Sequence, residues 1–369
     1  MSFMQSNVFR KYFIPGIILQ SVVIAGGYGT GRELVEFFLN YGTLGGLLGT
    51  VVSMLVWAAV CAATFEFARV FKVYDYRSLF QKLLGKGWIL FEICYLVLMA
   101  IVLGVIAAAA GSILNEIFGL HFYFGVIGLL VGVGLLVFNG SEAIKRFLSY
   151  WSFVLYGVYV LFLIVLFTKF GSNISANLAA GEIKSGFALN GFKYAWYNLG
   201  CVPALLFSLT TLESRKESII SGIMAAVITI APAVLLLLGL ISHYPDVTTA
   251  TVPTNFILTQ IGSKALLMIF QITLFGTLIE TGAGFINAVV GRIESVYKEK
   301  GKELPKSVNL GTTLGLLIMG VIIAQFGLVG LIAKGYGTIT WGFFLFYTLP
   351  IVTIGLYKIS KHAAGGKTA

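Results

Sequence analysis

The chain has 369 residues, of which 58% are hydrophobic and only 11% charged, with a mean hydropathy of +0.94; an average soluble domain carries about 25% charged residues. A soluble globular protein is excluded. The net charge of +10, from 25 Lys and Arg against 15 Asp and Glu, is accounted for below by membrane topology, and no nucleic-acid partner is expected. Long uncharged runs recur from Phe13 to Tyr357. Each is near the roughly 20 residues that a bilayer core demands of a helix, and they are continuous rather than alternating, which sets aside an outer-membrane barrel.

In chain order, about ten spans are expected: Phe13–Phe38, Leu44–Ala68, Trp88–Ile117, Phe122–Phe138, Phe147–Phe167, Phe192–Leu209, Ile219–Ile241, Ala265–Val290, Leu310–Ile332 and Tyr336–Tyr357. The fold class is therefore all-α and polytopic. The basic start at Arg10 and Lys11 has no convincing cleavage site after it, so the first run is expected to stay as a membrane helix. An even number of spans puts both termini on one side. Short cytoplasmic loops are enriched in Lys and Arg. With the termini inside, nineteen basic residues fall on the inner side: Arg10, Lys11, Arg69, Lys72, Arg77, Lys82, Lys86, Lys145, Arg146, Arg215, Lys216, Arg292, Lys298, Lys300, Lys302, Lys306, Lys358, Lys361 and Lys367. Only Lys169, Lys184, Lys193, Lys264 and Lys334 fall outside, and Arg32 lies within the membrane. A cell-membrane protein with cytoplasmic termini is expected. Two longer outer loops, Lys169–Gly191 and His243–Lys264, are either short helices over an outer vestibule or solvated connectors.

The first span contains Gly26-Gly27-Tyr28-Gly29-Thr30-Gly31, four glycines in six residues. Each helical Gly costs about 1 kcal/mol relative to Ala, so the helix should unwind there. Unwound backbone at membrane depth is tolerated only where it is buried or lines a cavity. A second interruption falls in the sixth span at Tyr197-Asn198-Leu199-Gly200-Cys201-Val202-Pro203, where Pro203 removes a backbone donor. The first and sixth spans each begin a set of five, and an odd number per set gives the halves opposite orientation. A single transporter domain over 1–369 is expected, with inverted repeats at about 10–170 and 188–358. Interrupted helices at matching positions of inverted halves point to a transporter binding site.

Broken helices present half-helix N-termini to an anion and free carbonyls to a cation at the same depth. A small zwitterion suits both. The expected substrate-binding set is Gly26, Gly27, Tyr28, Gly29, Thr30, Gly31, Tyr197, Asn198, Gly200 and Pro203. Arg32 and Glu33 are candidates for an outer gate, with Arg32 within i,i+4 reach of Glu36. Glu280 lies near the centre of the eighth span, where translocon scales charge roughly +2.5 to +3.5 kcal/mol for an acidic residue. Thr277 and Thr281 flank it. The trio is either an oxygen-lined site for a small hard cation or a carboxyl that itself carries a proton. The single Cys61, Cys94 and Cys201 and the isolated His121, His243 and His362 make no metal or nucleophile pattern, so neither an enzyme nor a resident cofactor is expected. Na⁺ is the one metal candidate.

The stretches GGYGTGRELVEFF from Gly26, YNLGCVPALLFS from Tyr197 and ETGAGFINAVVGR from Glu280 resemble those of the YkvI-like membrane proteins, distant members of the amino acid/polyamine/organocation superfamily. The resemblance covers essentially the whole chain. It implies the leucine-transporter (LeuT) fold, a five-plus-five inverted repeat with helices 1 and 6 broken at the substrate. In sodium-coupled relatives a cation site lies between the first helix and hydroxyls of the eighth, which directs attention to Thr277 and Thr281. The adjacent hydroxyl pair of many such sites is missing here, since Glu280 precedes Thr281, and the fifth span lacks the lysine that replaces the ion in some proton-coupled relatives. The expected function is a symporter for an amino acid or similar small zwitterion, working by alternating access with Na⁺ or H⁺; the alternative is an amino-acid-responsive sensor or ligand-gated ion pathway resembling spore-germinant receptor subunits. The expected partners are a small-molecule substrate and the lipid bilayer.

Overall fold

In hydrocarbon every backbone polar group must be satisfied within the protein, and continuous apolar runs do this as helices. The computed structural model describes residues 6–24, 26–139 and 141–365 and is helical throughout, without a strand among the described residues. Lys367 lies outside these residues, as do the side chains of Lys145 and Arg146. Seven helices are long and apolar enough to cross a membrane by length and composition, and Phe122–Phe138, at 17 residues, falls just short of that criterion. The other two expected spans are the broken ones. The first runs through Asn7–Tyr12 and Ile14–Val23, a single turn at Gly26–Gly29, and Arg32–Phe37. The sixth runs through Phe187–Asn198 and then a 3-10 helix, Leu199–Thr211. Together these make ten spans with the first and sixth interrupted.

Several boundaries differ from the sequence expectation. The fifth helix is Ser141–Ala179, not Phe147–Phe167. Its polar residues beyond Phe167 do not end it, because Thr168 and Ser175 bond back to the carbonyls of Ile164 and Gly171, and Lys169 donates to the Ile261 carbonyl at 2.6 Å. The outer segment 169–191 is thus mainly helix extension, whereas 243–264 does form short helices, Asp246–Thr249 and Pro253–Ile261. The ninth span stops at Ala324, and a turn through Gly327 starts the tenth at Leu328, ahead of the expected Tyr336. The tenth span widens to π-helix at Leu331–Tyr336, Phe344–Thr348 and Ile351–Gly355. An additional amphipathic helix, Tyr76–Leu84, is capped by Asp75 and buries Leu79, Phe80 and Leu83 between the second and third spans.

The two ends of the bundle are tied by different contacts. On the side of the N-terminus, Lys11 pairs with Glu213 and Glu217 at 3.0 and 2.9 Å, and Arg69 bonds Glu66 and the Glu213 carbonyl. On the other side Lys184 donates to the Tyr244 hydroxyl and Lys169 to residues 260–261. Glu92 pairs with Arg292 at 2.6 Å. Residues expected on one face therefore meet on one face.

Candidate substrate and ion site

The first break is built from the glycines outward. Ile24 leaves the helical region at ψ 75, and Gly31 turns left-handed at φ 77, a conformation that glycine adopts without a Cβ penalty. Between them Gly26–Gly29 keeps one α-turn, so the backbone is bent at two points rather than unwound throughout. The freed carbonyls find partners inside the protein: Thr30 Oγ1 donates to Gly27 O at 2.7 Å, Thr254 N to Thr30 O at 3.0 Å, and Thr254 Oγ1 to Gly29 O at 3.2 Å. Thr254 belongs to the short helix Pro253–Ile261. That loop is seated on the break.

Arg32 and Glu33 begin the half-helix that follows the break and point to different neighbours. The Arg32 guanidinium donates to the carbonyls of Thr248 and Ala250 at 2.9 and 3.1 Å and pairs with Glu36 at 3.0 Å, as the i,i+4 spacing anticipates. It fastens the loop at 248–250. Glu33 is 3% exposed and turns into the bundle, where its Oε2 accepts from the Tyr197 hydroxyl at 2.6 Å and its other oxygen abuts Gly27. The close approach requires a residue without a side chain at 27.

The sixth span changes from α to 3-10 at Leu199. Pro203 supplies no N–H for the Leu199 carbonyl, and the tighter helix follows from that missing bond and the ring's bulk. Tyr197 sits just before the change. Its ring stacks on Tyr336 at 4.6 Å and 13° and packs on Phe37 at 5.5 Å. Asn198 instead donates to its own helix at Tyr194 O, and Gly200 faces Phe343 and Leu98. Of the expected substrate-binding residues, the structure brings Gly27 and Tyr197 against Glu33 and sets Tyr28 in a cavity with Tyr159 and Leu274; Asn198 and Gly200 point elsewhere.

Two cavities adjoin the break. A cavity of about 200 Å³ is lined by Tyr28 and Gly29 together with Tyr159, Leu274 and Thr277. A larger one of about 500 Å³ is lined by Ser21, Ile24, Tyr95, Tyr156 and Ala204 and by Thr277, Glu280 and Thr281. Ile24, Tyr156 and Thr277 border both. Glu280 is half-buried and, among the described residues, has no hydrogen-bond or ion-pair partner. The hydroxyls of Thr277 and Thr281 donate to Thr273 O and Thr277 O at 3.0 and 2.9 Å, which leaves their oxygen lone pairs free to accept or ligate. Among the described residues no cluster of three or more His, Cys, Asp and Glu side chains could hold a metal, and all three cysteines are free.

The residues that sequence reasoning passed over are Tyr194, Tyr336 and Thr254. A tyrosine in a lipid-spanning run carries a hydroxyl that must be accommodated, and that was the available signal for Tyr194 and Tyr336. Thr254 carried none, because its role depends on where its loop docks.

Ten helices with the first and sixth broken against each other define the LeuT-type fold. No family model matches the chain. It is similar to the uncharacterized membrane protein YkvI of Bacillus subtilis (strain 168), with 24% identity over 323 residues that cover 85% of this chain and 88% of YkvI. Among solved structures it resembles a Na⁺-coupled sialic acid symporter in a substrate-bound outward-open state, with a TM-score of 0.59 and 12% identity over 94% of this chain and 82% of that one. It also resembles MhsT in complex with L-phenylalanine (TM-score 0.60, 15% identity, 95% and 97% covered) and a manganese transporter of Eremococcus coleocola (0.50, 16%, 99% and 88%). At these identities the likeness is one of fold. The resemblance to a YkvI-like protein of LeuT-type fold holds; YkvI is a membrane protein, and the solved structures are of transporters.

Proposed function

We propose that the chain is a secondary active transporter that moves an amino acid or similar small zwitterion by alternating access, coupled to Na⁺ or H⁺. The observation that carries this reading is the unequal access to the first break. On one side Arg32 and Thr254 hold the loop over it; on the other a cavity of about 500 Å³ reaches Ile24 and Glu280. An unequally exposed site between two broken helices is what alternating access requires. The basic-residue bias makes the cavity side cytoplasmic, with both termini there, in a cell membrane. The chain forms one domain whose halves, about 10–170 and 188–358, are inverted repeats.

Glu280, without a hydrogen-bond or ion-pair partner among the described residues, and the free lone pairs of Thr277 and Thr281 support a coupling-ion role for this trio. The sialic acid symporter of the same fold is Na⁺-coupled, and hydroxyl and carboxylate oxygens are ligands a hard cation accepts. Moving one elementary charge through 100 mV releases about 2.3 kcal/mol, enough for roughly fiftyfold accumulation.

The test is uptake of a labelled amino-acid panel into proteoliposomes under an imposed Na⁺ gradient and, separately, a proton gradient. Accumulation driven by one gradient is expected and names the ion. Glu280→Gln should bind substrate and fail to accumulate it, and unchanged coupling in that variant would remove Glu280 from the mechanism. Binding without accumulation under either gradient would favour a sensor.

A further inference from the structure

We infer that the smaller cavity beside the first break is a binding site for an uncharged, mainly apolar molecule with one hydrogen-bonding oxygen, taken up from the bilayer between the fifth and seventh spans. This site is separate from the amino-acid site proposed above and does not depend on it.

The cavity of about 200 Å³ is walled by the first span at Tyr28, the fifth at Tyr159 and Leu163, the seventh at Leu235 and the eighth at Phe270 and Leu274. An apolar cavity of about 150 Å³ stays dry and takes up benzene, so this space suits one substituted ring or a short branched chain. No charged side chain lines it, whereas Glu280 lines the neighbouring cavity of about 500 Å³. An ammonium or carboxylate placed here would be buried without a partner, and a zwitterion is excluded on that ground.

The polar groups of the wall are already bonded, with one exception. Pro232 has no N–H for the carbonyl of Ile228, and Gln20 Nε2 donates to that carbonyl at 3.1 Å. The Tyr159 hydroxyl donates to Pro232 O at 3.2 Å, and the hydroxyls of Thr273 and Thr277 donate to carbonyls of their own helix. The exception is Tyr28. Its side chain is 0% exposed, its hydroxyl lies beside that of Tyr159, and it makes no hydrogen bond. A buried hydroxyl left unpaired is costly, and a ligand oxygen bonded to it removes the cost.

The way in is from lipid. Val160, at the middle of Ser141–Ala179, and Leu235 both line the cavity and are exposed on the surface of the bundle. A surface at that level meets acyl chains, so a molecule that enters there has first dissolved in the membrane.

The experiment follows ¹⁹F NMR titrations of the purified full chain in lipid nanodiscs, each referenced to empty nanodiscs so that simple partitioning is subtracted. The probes are 4-fluorobenzyl alcohol, 4-fluorotoluene, 4-fluorobenzylamine and 4-fluorobenzoate. The alcohol should bind saturably, the toluene about fivefold more weakly for want of one neutral hydrogen bond, and the two charged probes not at all. Tyr28→Phe should bring the alcohol down to the level of the toluene and leave the toluene unchanged. Leu163→Trp, which fills the cavity, should abolish saturable binding of both; Val160→Trp, on the exposed rim where folding is not at stake, should slow entry severalfold. The inference is overturned if the alcohol shows no saturable binding beyond empty nanodiscs, if a charged probe binds as well as the alcohol, or if Tyr28→Phe keeps the preference for alcohol over toluene. It is equally overturned if folded Leu163→Trp and Val160→Trp both bind as the unsubstituted chain does. Because no gradient or amino acid is present, failure here leaves the transport reading standing, and failed amino-acid uptake leaves this site standing.

Discussion

The two broken helices are interrupted by different means. The first break is held open by partners from elsewhere in the chain: Thr254 on its carbonyls, Arg32 on the loop at 248–250, Glu33 on Tyr197. The sixth is fixed by its own sequence, since Pro203 lies inside Leu199–Thr211 and supplies no N–H for the Leu199 carbonyl. A break that depends on removable contacts can change shape when the loop leaves, while one written into the backbone keeps its shape. The contrast between the two breaks predicts that the first span moves and that the sixth is the fixed element against which it works.

Matching glycine substitutions should separate the two most sharply. In Gly200→Ala the new Cβ meets the buried Phe343 ring at 2.7 Å and Leu98 at 3.0 Å, and overpacking of this kind costs about 1–3 kcal/mol. We expect a lower melting temperature, with uptake per folded molecule preserved. In Gly27→Ala the Cβ lands on the Glu33 carboxylate, which must leave Tyr197. Uptake should fall much further than stability does. Equal losses of stability and uptake in both variants would erase the distinction.

Thr254→Val is a smaller lever on the same contrast. It removes the hydroxyl bond to the Gly29 and Thr30 carbonyls and leaves the backbone bond from Thr254 N to Thr30 O in place. A hydrogen bond of this sort contributes about 1 kcal/mol. The loop should open more often, read as faster thiol labelling of a cysteine introduced at Thr30 from the loop side, with labelling near Ala204 slower. Unchanged labelling on both sides would mean the loop does not govern access to the break.

The smallest effect should come from Lys11→Met. Lys11 ties the start of the first span to Glu213 and Glu217 at the start of the seventh. Glu217 is held below the usual carboxylate range, first by the Glu213 backbone N–H and then by Lys11, while Lys11 is held above its ordinary value, mainly by Glu217 and then Glu213. A lowered acid contributes stability above its unfolded pKa and loses it as pH falls through the folded one; a raised base loses it as pH rises through its folded pKa. The tie is therefore constant across neutral pH and weakens only at acid and strongly alkaline extremes. Melting temperatures of the substituted and unsubstituted chains should differ by a constant small amount between those limits, and a difference that varies across neutral pH would show that another group titrates there.

Hydropathy, charge bias and backbone chemistry accumulate along the chain, and they determined what could be known from order alone. The number of spans, the common face of Arg10–Lys11, Arg69 and Arg215–Lys216, the Arg32–Glu36 pair and the interruption at Gly26–Gly31 follow from residues close to one another. The 3-10 stretch at Pro203 follows for the same reason, since a missing N–H is a local fact. Tertiary structure decided the rest. The sequence offered Glu33 as a gate residue beside Arg32, and packing turned it to Tyr197, 164 positions away; Tyr336 reaches the same place only because the tenth span passes beside the sixth. The fifth helix outran its apolar run because hydroxyls and Lys169 found carbonyls to bond. Glu280 faces a cavity because Tyr95, Tyr156 and Ala204 from three other helices enclose that space. Local terms set which segments are helices and where they bend, whereas the direction of a buried polar side chain depends on which distant group can satisfy it, and that is settled only when the helices pack.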